Sequence, residues 1–390
     1  MKRLLMIIFM NTTEAYLTKE MCAYPYYLGK DYGWSCTYAY FTNEKPLKNA
    51  LFERYCALQY LGKADNYTKQ EKIAAEYLKD HARDIDVLCF FHYGGASYSL
   101  ARLAKKINPK IKVYIKLDMS EDGFSHFYDG TFLRKVHLLP EYWKSRAVDL
   151  FTVENRSFYK ILEEMRLFRK RIKYLPNAVS LFGAESVDHT CPKRKENIVL
   201  TVGRLGDPVK NNELLIEAMR KVDREIFDDW KVFLVGPAEA HFVEYVKRIC
   251  EADVWMANHV VLFGEVRDRT KLYELYAKAK IMCVTSRSES FCIALMEAMF
   301  FGAYPIITDF GRIIQDFIPR SWTKHSPRGH NGIVVPQEDV DELVVALEKA
   351  AADEKLPCLC QEVERFARDN FSYDVWTKKL DGYLTDLVAK

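Results

Sequence analysis

Short apolar runs alternate with amphipathic stretches along nearly the whole chain. In the first half the runs are LLMIIFM, SCTYAYF, DVLCFF, KVYIKL and LFTVE; in the second they are NIVLTVG, KVFLVG, VVLFG, IMCVTS, YPIIT and GIVVP. Apolar runs of this length read as strands buried on both faces. Between them, stretches such as ELLIEAMRKV and RTKLYELYAKAK place apolar residues at helical spacing. Strand and helix in alternation predict parallel sheets covered by helices on both sides. The rhythm occurs twice, and 390 residues exceed what one core usually serves, so two α/β domains are predicted.

The break falls in LPNAVSLFGAESVDHTCPKRKEN, Leu175 to Asn197, which carries turn-forming residues and a charged cluster without strong periodicity. The predicted organisation is a first domain over 1–180, a linker over 181–196, a second domain over 197–370 and a helix over 371–390. The aromatic face of that last helix predicts that it packs back toward the first domain.

One helix departs from the pattern. Phe291 to Phe301 is apolar nearly all round, with Glu297 alone in the middle. A helix apolar on every side is buried, and a buried carboxylate requires a partner. Glu297 therefore pairs with an Arg or Lys of a neighbouring element, or it faces a ligand crevice and accepts hydrogen bonds from hydroxyls.

In open parallel sheets ligands bind beyond the carboxyl ends of the strands. After NIVLTVG stands Arg204, then Lys210 just before the next helix. Two cations in such a loop suit a diphosphate, the alternative being two solvated side chains on a surface loop. After IMCVTS comes Arg287-Ser288-Glu289-Ser290, which puts Glu289 at the strand-to-helix turn. There it is either a site residue or an acid favoured by the helix dipole.

Charge and composition narrow the classes. Lys plus Arg number 57 against 54 Asp plus Glu, a net charge of +3, which excludes a protein built mainly to coat nucleic acid. Ten cysteines show no Cys-x-x-Cys pair and no zinc-like spacing with histidine, and they predict a reducing, cytoplasmic setting. The start MKRLLMIIFM lacks a small-residue cleavage site and reads as a first buried strand; no segment reaches membrane-spanning length. Asp84-Ile85-Asp86 and Asp339-Val340-Asp341 match an Asp-x-Asp metal pattern by chance, and no metal is predicted. The stretch EEMRLFRKRIKYLP interleaves Arg166, Arg169, Lys170, Arg171 and Lys173 with Leu167, Phe168 and Ile172. It is either a solvated helix end or a surface that rests on an anionic membrane, at the inner face.

Taken together, VGRLGDPVKNNELLIEA, VVLFGEV, LYAKAKIMCVTSRSESFCIALMEAMFFGAYPIITDFG and NGIVVP resemble the C-terminal domain of retaining glycosyltransferases of the GT-B fold, family four, with a Glu-x7-Glu motif at Glu289 and Glu297. The resemblance runs from about Asn197 to the C-terminus. It implies two Rossmann-like doubly wound domains facing a cleft, with the donor on the second and the acceptor on the first. It implies that Arg204 and Lys210 hold the donor diphosphate, that Glu289 lies by the sugar, and that Glu297 binds the ribose. The amides of Ser290, Phe291, Cys292 and Ile293 would contact sugar and phosphate, with Val266 and Arg267 near the base. The family usually has glycine where Cys292 stands. In the first half, Asn11-Thr12-Thr13-Glu14 replaces the usual Gly-Gly, and Asp118 occupies the place of a histidine near the reacting carbon; His92 is a second catalytic candidate.

The implied activity is metal-independent transfer of a hexose-type sugar from a nucleotide sugar, a UDP-sugar ahead of a GDP-sugar, with no further cofactor. The acceptor would be a hydroxyl of a glycan or lipid-linked glycan, as in surface polysaccharide biosynthesis. The alternatives are a sugar-phosphate-using phosphorylase or synthase on the same fold and a non-catalytic partner of an active transferase.

Overall fold

The computed structural model describes residues 1–119, 124, 139–165, 168, 171–182, 184, 195–318 and 331–390. Most of the linker expected over 181–196 lies outside these residues, as do Arg166, Leu167, Arg169 and Lys170 of the basic stretch. The chain divides into two compact units, Met1–Phe182 with Ser372–Lys390, and Gly183–Phe371.

The first unit is built on a seven-stranded sheet in the order β3-β2-β1-β4-β5-β6-β7. Its strands are β1 Arg3–Asn11, β2 Ser35–Phe41, β3 Cys56–Gly62, β4 Val87–Phe91, β5 Lys112–Lys116, β6 Leu150–Val153 and β7 Ile172–Tyr174. Every pairing is parallel. Side chains alternate across a strand, and β1 shows the consequence. Leu5, Ile7 and Phe9 enter one buried cluster, while Leu4, Met6 and Ile8 enter another on the opposite face. The first cluster is closed by helices α2 (Tyr67–His81), α3 (Gly95–Ile107) and α4 (Arg156–Met165); the second by α1 (Glu20–Tyr32) and the C-terminal helix.

The second unit has a six-stranded parallel sheet in the order β10-β9-β8-β11-β12-β13. Its strands are β8 Glu196–Val202, β9 Lys231–Val235, β10 Val260–Gly264, β11 Ala279–Val284, β12 Tyr304–Thr308 and β13 Ile333–Val335. The longer helices are α5 (Asn212–Met219), α6 (Ala240–Ala252), α7 (Arg269–Lys278), α8 (Ile293–Phe300), α9 (Val340–Ala351) and α10 (Leu356–Phe371), and α11 (Tyr373–Ala389) returns to the first unit. Both sheets are doubly wound, and the strand order reverses between β1 and β4 and between β8 and β11. Neighbouring connections turn away from each other at such a point and leave room beyond the strand ends.

The Asp-x-Asp pairs are spent on structure. Asp86 accepts the Arg3 amide at 2.7 Å, and Asp84 pairs with the Arg3 guanidinium. Asp339 caps α9 by accepting the Glu342 amide, and Asp341 pairs with Lys221.

Candidate functional site

The reversal between β8 and β11 gathers the second unit's charged residues. The loop after β8 runs close to the loop after β9: a Cβ on Gly236 would stand 1.8 Å from the Gly203 carbonyl oxygen, so only glycine fits. Leu205 exchanges backbone hydrogen bonds with Pro237 and Glu239, and Gly206 donates its amide to the Asn212 side chain. Asp207 then closes a turn, accepting the amides of Val209 and Lys210. Asn211 follows in the left-handed region, φ 48°, and starts α5.

This loop is laced to the end of β11. The Arg287 amide donates to the Val209 carbonyl at 2.8 Å, and the Thr285 hydroxyl donates to the Lys210 carbonyl at 3.0 Å. The lacing sets Lys210 Nζ 2.6 Å from Glu289 Oε1, which also accepts the Ser286 hydroxyl at 2.6 Å. Both side chains are largely shielded, 24% and 9% exposed, so their attraction is weakly screened. Arg204, in the same loop, is 68% exposed and leans on Asp207 at 2.7 Å.

Beyond Glu289, Ser290 is exposed and Phe291 is buried against Phe317 and Phe371. Cys292 precedes α8 with φ 45° and ψ 64°, a conformation natural to glycine. Burial, followed by Glu289, pushes its thiol well above the ordinary range. Among the described residues, the amides of Ser290, Phe291, Cys292 and Ile293 donate to none. Open amides at a helix start suit anionic or hydroxyl oxygens.

Glu297 has protein partners on both oxygens. Arg269 donates to Oε1, and the Tyr276 hydroxyl donates to Oε2 at 3.2 Å. Burial works against the Arg269 charge, but Glu297 outweighs it and the guanidinium titrates above its ordinary value. The ion-pair option for Glu297 is therefore present, and its carboxylate still holds lone pairs that these two donors do not use. Sequence reasoning missed Arg269 and Tyr276. Their spacing along RTKLYELY puts them on one face of α7, a signal that shows a face but not what it meets. Val266 is half-buried and Arg267 exposed on the loop leading into α7, where Arg267 pairs with Glu265 at 2.8 Å.

His92 and Asp118 belong to the first unit, one residue past β4 and two past β5. Both adopt positive φ, 67° and 48°, and His92 Nε2 lies 3.8 Å from Asp118 Oδ2. His92 Nδ1 is 3.3 Å from the Leu117 carbonyl. Behind them, Glu154 is buried, accepts the Met119 amide at 2.5 Å and was not anticipated from sequence. Burial and then Asp118 raise its carboxyl to about 8, against the lowering effect of Lys116. Among the described residues no group of His, Cys, Asp and Glu is arranged to hold a metal.

Residues 187–368 match the model of the family described as glycosyl transferases group 1. Over 257 residues the chain is 26% identical to the GalNAc-alpha-(1->4)-GalNAc-alpha-(1->3)-diNAcBac-PP-undecaprenol alpha-1,4-N-acetyl-D-galactosaminyltransferase of Campylobacter jejuni, covering 66% of this chain and 63% of that protein. It is 28% identical over 167 residues to the phosphatidyl-myo-inositol mannosyltransferase of Mycolicibacterium smegmatis, covering 42% and 38%. The chain thus matches less than two thirds of the length of either relative. Its fold is similar to that of Anabaena Alr3699/HepE in complex with UDP, with a TM-score of 0.67 at 16% identity, covering 99% and 100% of the two chains.

Proposed function

We propose that the chain, whose residues 187–368 match the model of the glycosyl transferases group 1 family, is a retaining glycosyltransferase. It moves a hexose-type sugar from a nucleoside-diphosphate sugar, a UDP-sugar first, to a hydroxyl of a glycan or lipid-linked glycan. The observation that carries this reading is the shielded Lys210–Glu289 pair at the strand reversal, with Arg204 exposed in the same loop. Arg204 and Lys210 neutralise the diphosphate as the glycosidic bond breaks, which lowers the barrier because the cations are already in place. The free amides from Ser290 to Ile293 hold sugar and phosphate oxygens, Glu289 meets the sugar, Glu297 accepts from the ribose, and Val266 and Arg267 flank the base. The acceptor hydroxyl attacks the anomeric carbon from the side that the diphosphate leaves. Attack from that side retains the configuration, and a departing phosphate oxygen takes the hydroxyl's proton, so the charge is balanced without assigning a step to a metal. His92 and Asp118 serve the acceptor side.

A UDP donor is favoured by the UDP bound in the Anabaena structure, and a lipid-linked acceptor by the lipids named in both relatives. Among the described residues no helix is long and apolar enough to cross a membrane. The first unit does present Trp143, 61% exposed, with the Arg146 guanidinium 4.6 Å from its ring centroid and Lys144 and Lys173 exposed. An aromatic side chain among cations suits peripheral contact with an anionic membrane surface.

Thermal unfolding with UDP-, GDP- and ADP-sugars tests the donor, because a ligand of the native state raises its apparent stability. The expected result is a shift with one nucleotide series and slow nucleotide release. Lys210→Ala should then cost about 2–4 kcal/mol of transition-state stabilisation, read as lost nucleotide release. No shift with any nucleotide sugar, or wild-type release by Lys210→Ala, sinks the reading. Release that requires free phosphate or a phosphorylated acceptor would move it to a phosphorylase or synthase.

A further inference from the structure

At the end of the second sheet opposite the loops after β8 and β11 lies a cleft that the transfer chemistry does not use. Its walls belong to segments that lead into the amino ends of β9 and β10. They are the end of α5 with Arg220 and Arg224, the second half of α6 with Tyr245 and Arg248, and residues 253–255. The cleft has a volume of about 760 Å³, inside the range of small-molecule sites, about 300–1,000 Å³.

The balance of donors and acceptors decides what fits it. Three guanidiniums line the cleft against two carboxylates, Glu217 and Asp253. Both acids are already engaged. Glu217 accepts the Tyr245 hydroxyl on one oxygen and Arg220 on the other, at 2.8 Å. Asp253 accepts Arg224 on one oxygen at 2.6 Å, and on the other the amides of Trp255 and Met256, which open a short helix, Val254–His259. The donors are not used up. Arg220 and Arg224 each turn one terminal nitrogen to an acid, and a guanidinium carries five N–H groups. Arg248 is exposed and, among the described residues, has neither an ion pair nor a side-chain hydrogen bond. Each arginine alone is an ordinary surface cation; together they make a cleft rich in donors whose carboxylate oxygens are all occupied.

Part of the cleft is also held in place. The Arg224 guanidinium lies 5.3 Å from the Trp255 ring centroid, and that ring stacks on His259 at 4.1 Å. His259 is buried, its ring nitrogens 2.7 and 3.2 Å from the Trp255 and Asp228 carbonyls. Arg224 is thus oriented before any ligand arrives, which lowers the ordering cost of binding. Ile249, Ala252 and Val254 give the cleft an apolar side.

We propose that this cleft binds a phosphomonoester, its dianion held by Arg248 with Arg220 and Arg224 and its organic part against Ile249 and Val254. A phosphomonoester carries about −1.5 to −2 charges at pH 7 and three acceptor oxygens, which guanidinium forks match in pairs. The site is separate from the loop that carries Lys210. Helix α5 begins two residues after Lys210 and ends at the cleft, and its eight residues span about 12 Å. Both ends can be occupied at once, so the inference does not depend on what the Lys210 loop binds.

The test titrates phenyl phosphate and glycerol 3-phosphate into the full chain by calorimetry. Sedimentation with phosphatidylcholine vesicles containing phosphatidic acid forms a second arm, because that lipid headgroup presents the same phosphomonoester. At least one arm should show saturable binding. Arg248→Glu should weaken it about tenfold or more, the range of a hydrogen bond to a charged group, and Arg248→Gln by less. Since Arg248 is exposed, both variants should unfold at the wild-type temperature. Lys210→Ala should bind the ester as wild type does. Saturation by the free esters identifies a soluble ligand; binding to the vesicles alone, lost in Arg248→Glu, identifies a lipid headgroup. No binding in either arm, binding that Arg248→Glu leaves unchanged, or binding lost in Lys210→Ala overturns the proposal, and none of these outcomes decides whether a nucleotide sugar is the donor.

Discussion

Glu154 is a carboxyl group with its side chain enclosed on every side, one oxygen on the Met119 amide and the other, among the described residues, without a hydrogen-bond partner. Burial first, then the neighbouring Asp118, raises its titration to about 8, with Lys116 pulling the other way. An unfolded glutamate titrates near 4.3, so between these values the native state holds a proton that the unfolded state has released. Its contribution to stability is therefore complete below about pH 4 and is lost progressively as pH rises toward 8, with a limiting slope of about 1.4 kcal/mol per pH unit. Glu154→Gln fixes the neutral form and keeps an oxygen for Met119. Urea unfolding at pH 6, 7 and 8 should show stability falling with pH in wild type and a flatter profile in the variant. Matching slopes would show that Glu154 does not carry this dependence.

At the scale of elements, α8 owes its position to a residue in an unfavourable conformation. Cys292 precedes the helix at φ 45°, with the chain turned sharply so that the amides on either side of it stay open. A side chain in this region costs about 1–2 kcal/mol, and a β-branched one more. Cys292→Gly removes the strain, offset by the freedom glycine has in the unfolded chain, so its stability should stay within about 1 kcal/mol of wild type. Cys292→Val, of similar size, should cost about 1–3 kcal/mol in urea unfolding. A valine variant as stable as the glycine one would mean that the turn is relaxed. The sequence carried the departure from glycine, but only the backbone explains why glycine is the usual occupant. The same divide holds elsewhere. The central strands were legible because burial on both faces makes them continuous apolar runs. The missed strands β3, CALQYLG, and β7, IKY, are the two edges of the first sheet, where exposure on one side breaks the run. The placement of Arg204, Lys210 and Glu289 just past the ends of β8 and β11 was legible because a strand end fixes where the following residues go. The partner of Glu297 was not, because Arg269 lies 28 residues earlier and only packing brings the two together.

For the whole molecule, the decisive feature is that the chain leaves the first unit after Phe182 and comes back at Ser372. Helix α11 buries Tyr373, Trp376, Leu380 and Leu384 in that unit's second cluster. Tyr373 stacks on Tyr27 at 4.7 Å and meets the edge of Tyr24 at 5.0 Å, while the Trp34 indole donates to Asp381 at 2.7 Å. Burying a large apolar side chain contributes about 1.5–3 kcal/mol, so these four together approach the whole stability of an ordinary domain, about 5–15 kcal/mol. The residues proposed for the donor all lie in Gly183–Phe371, a unit that does not include the last helix. A chain stopped after Phe371 should therefore lose the first unit to limited proteolysis, with the second surviving as a protected fragment. That fragment should still bind the nucleotide diphosphate that stabilises the full chain, and it should transfer no sugar. If the first unit resists protease without α11, the returning helix is an accessory; if the fragment folds but no longer binds the nucleotide, the donor site requires residues outside the second unit.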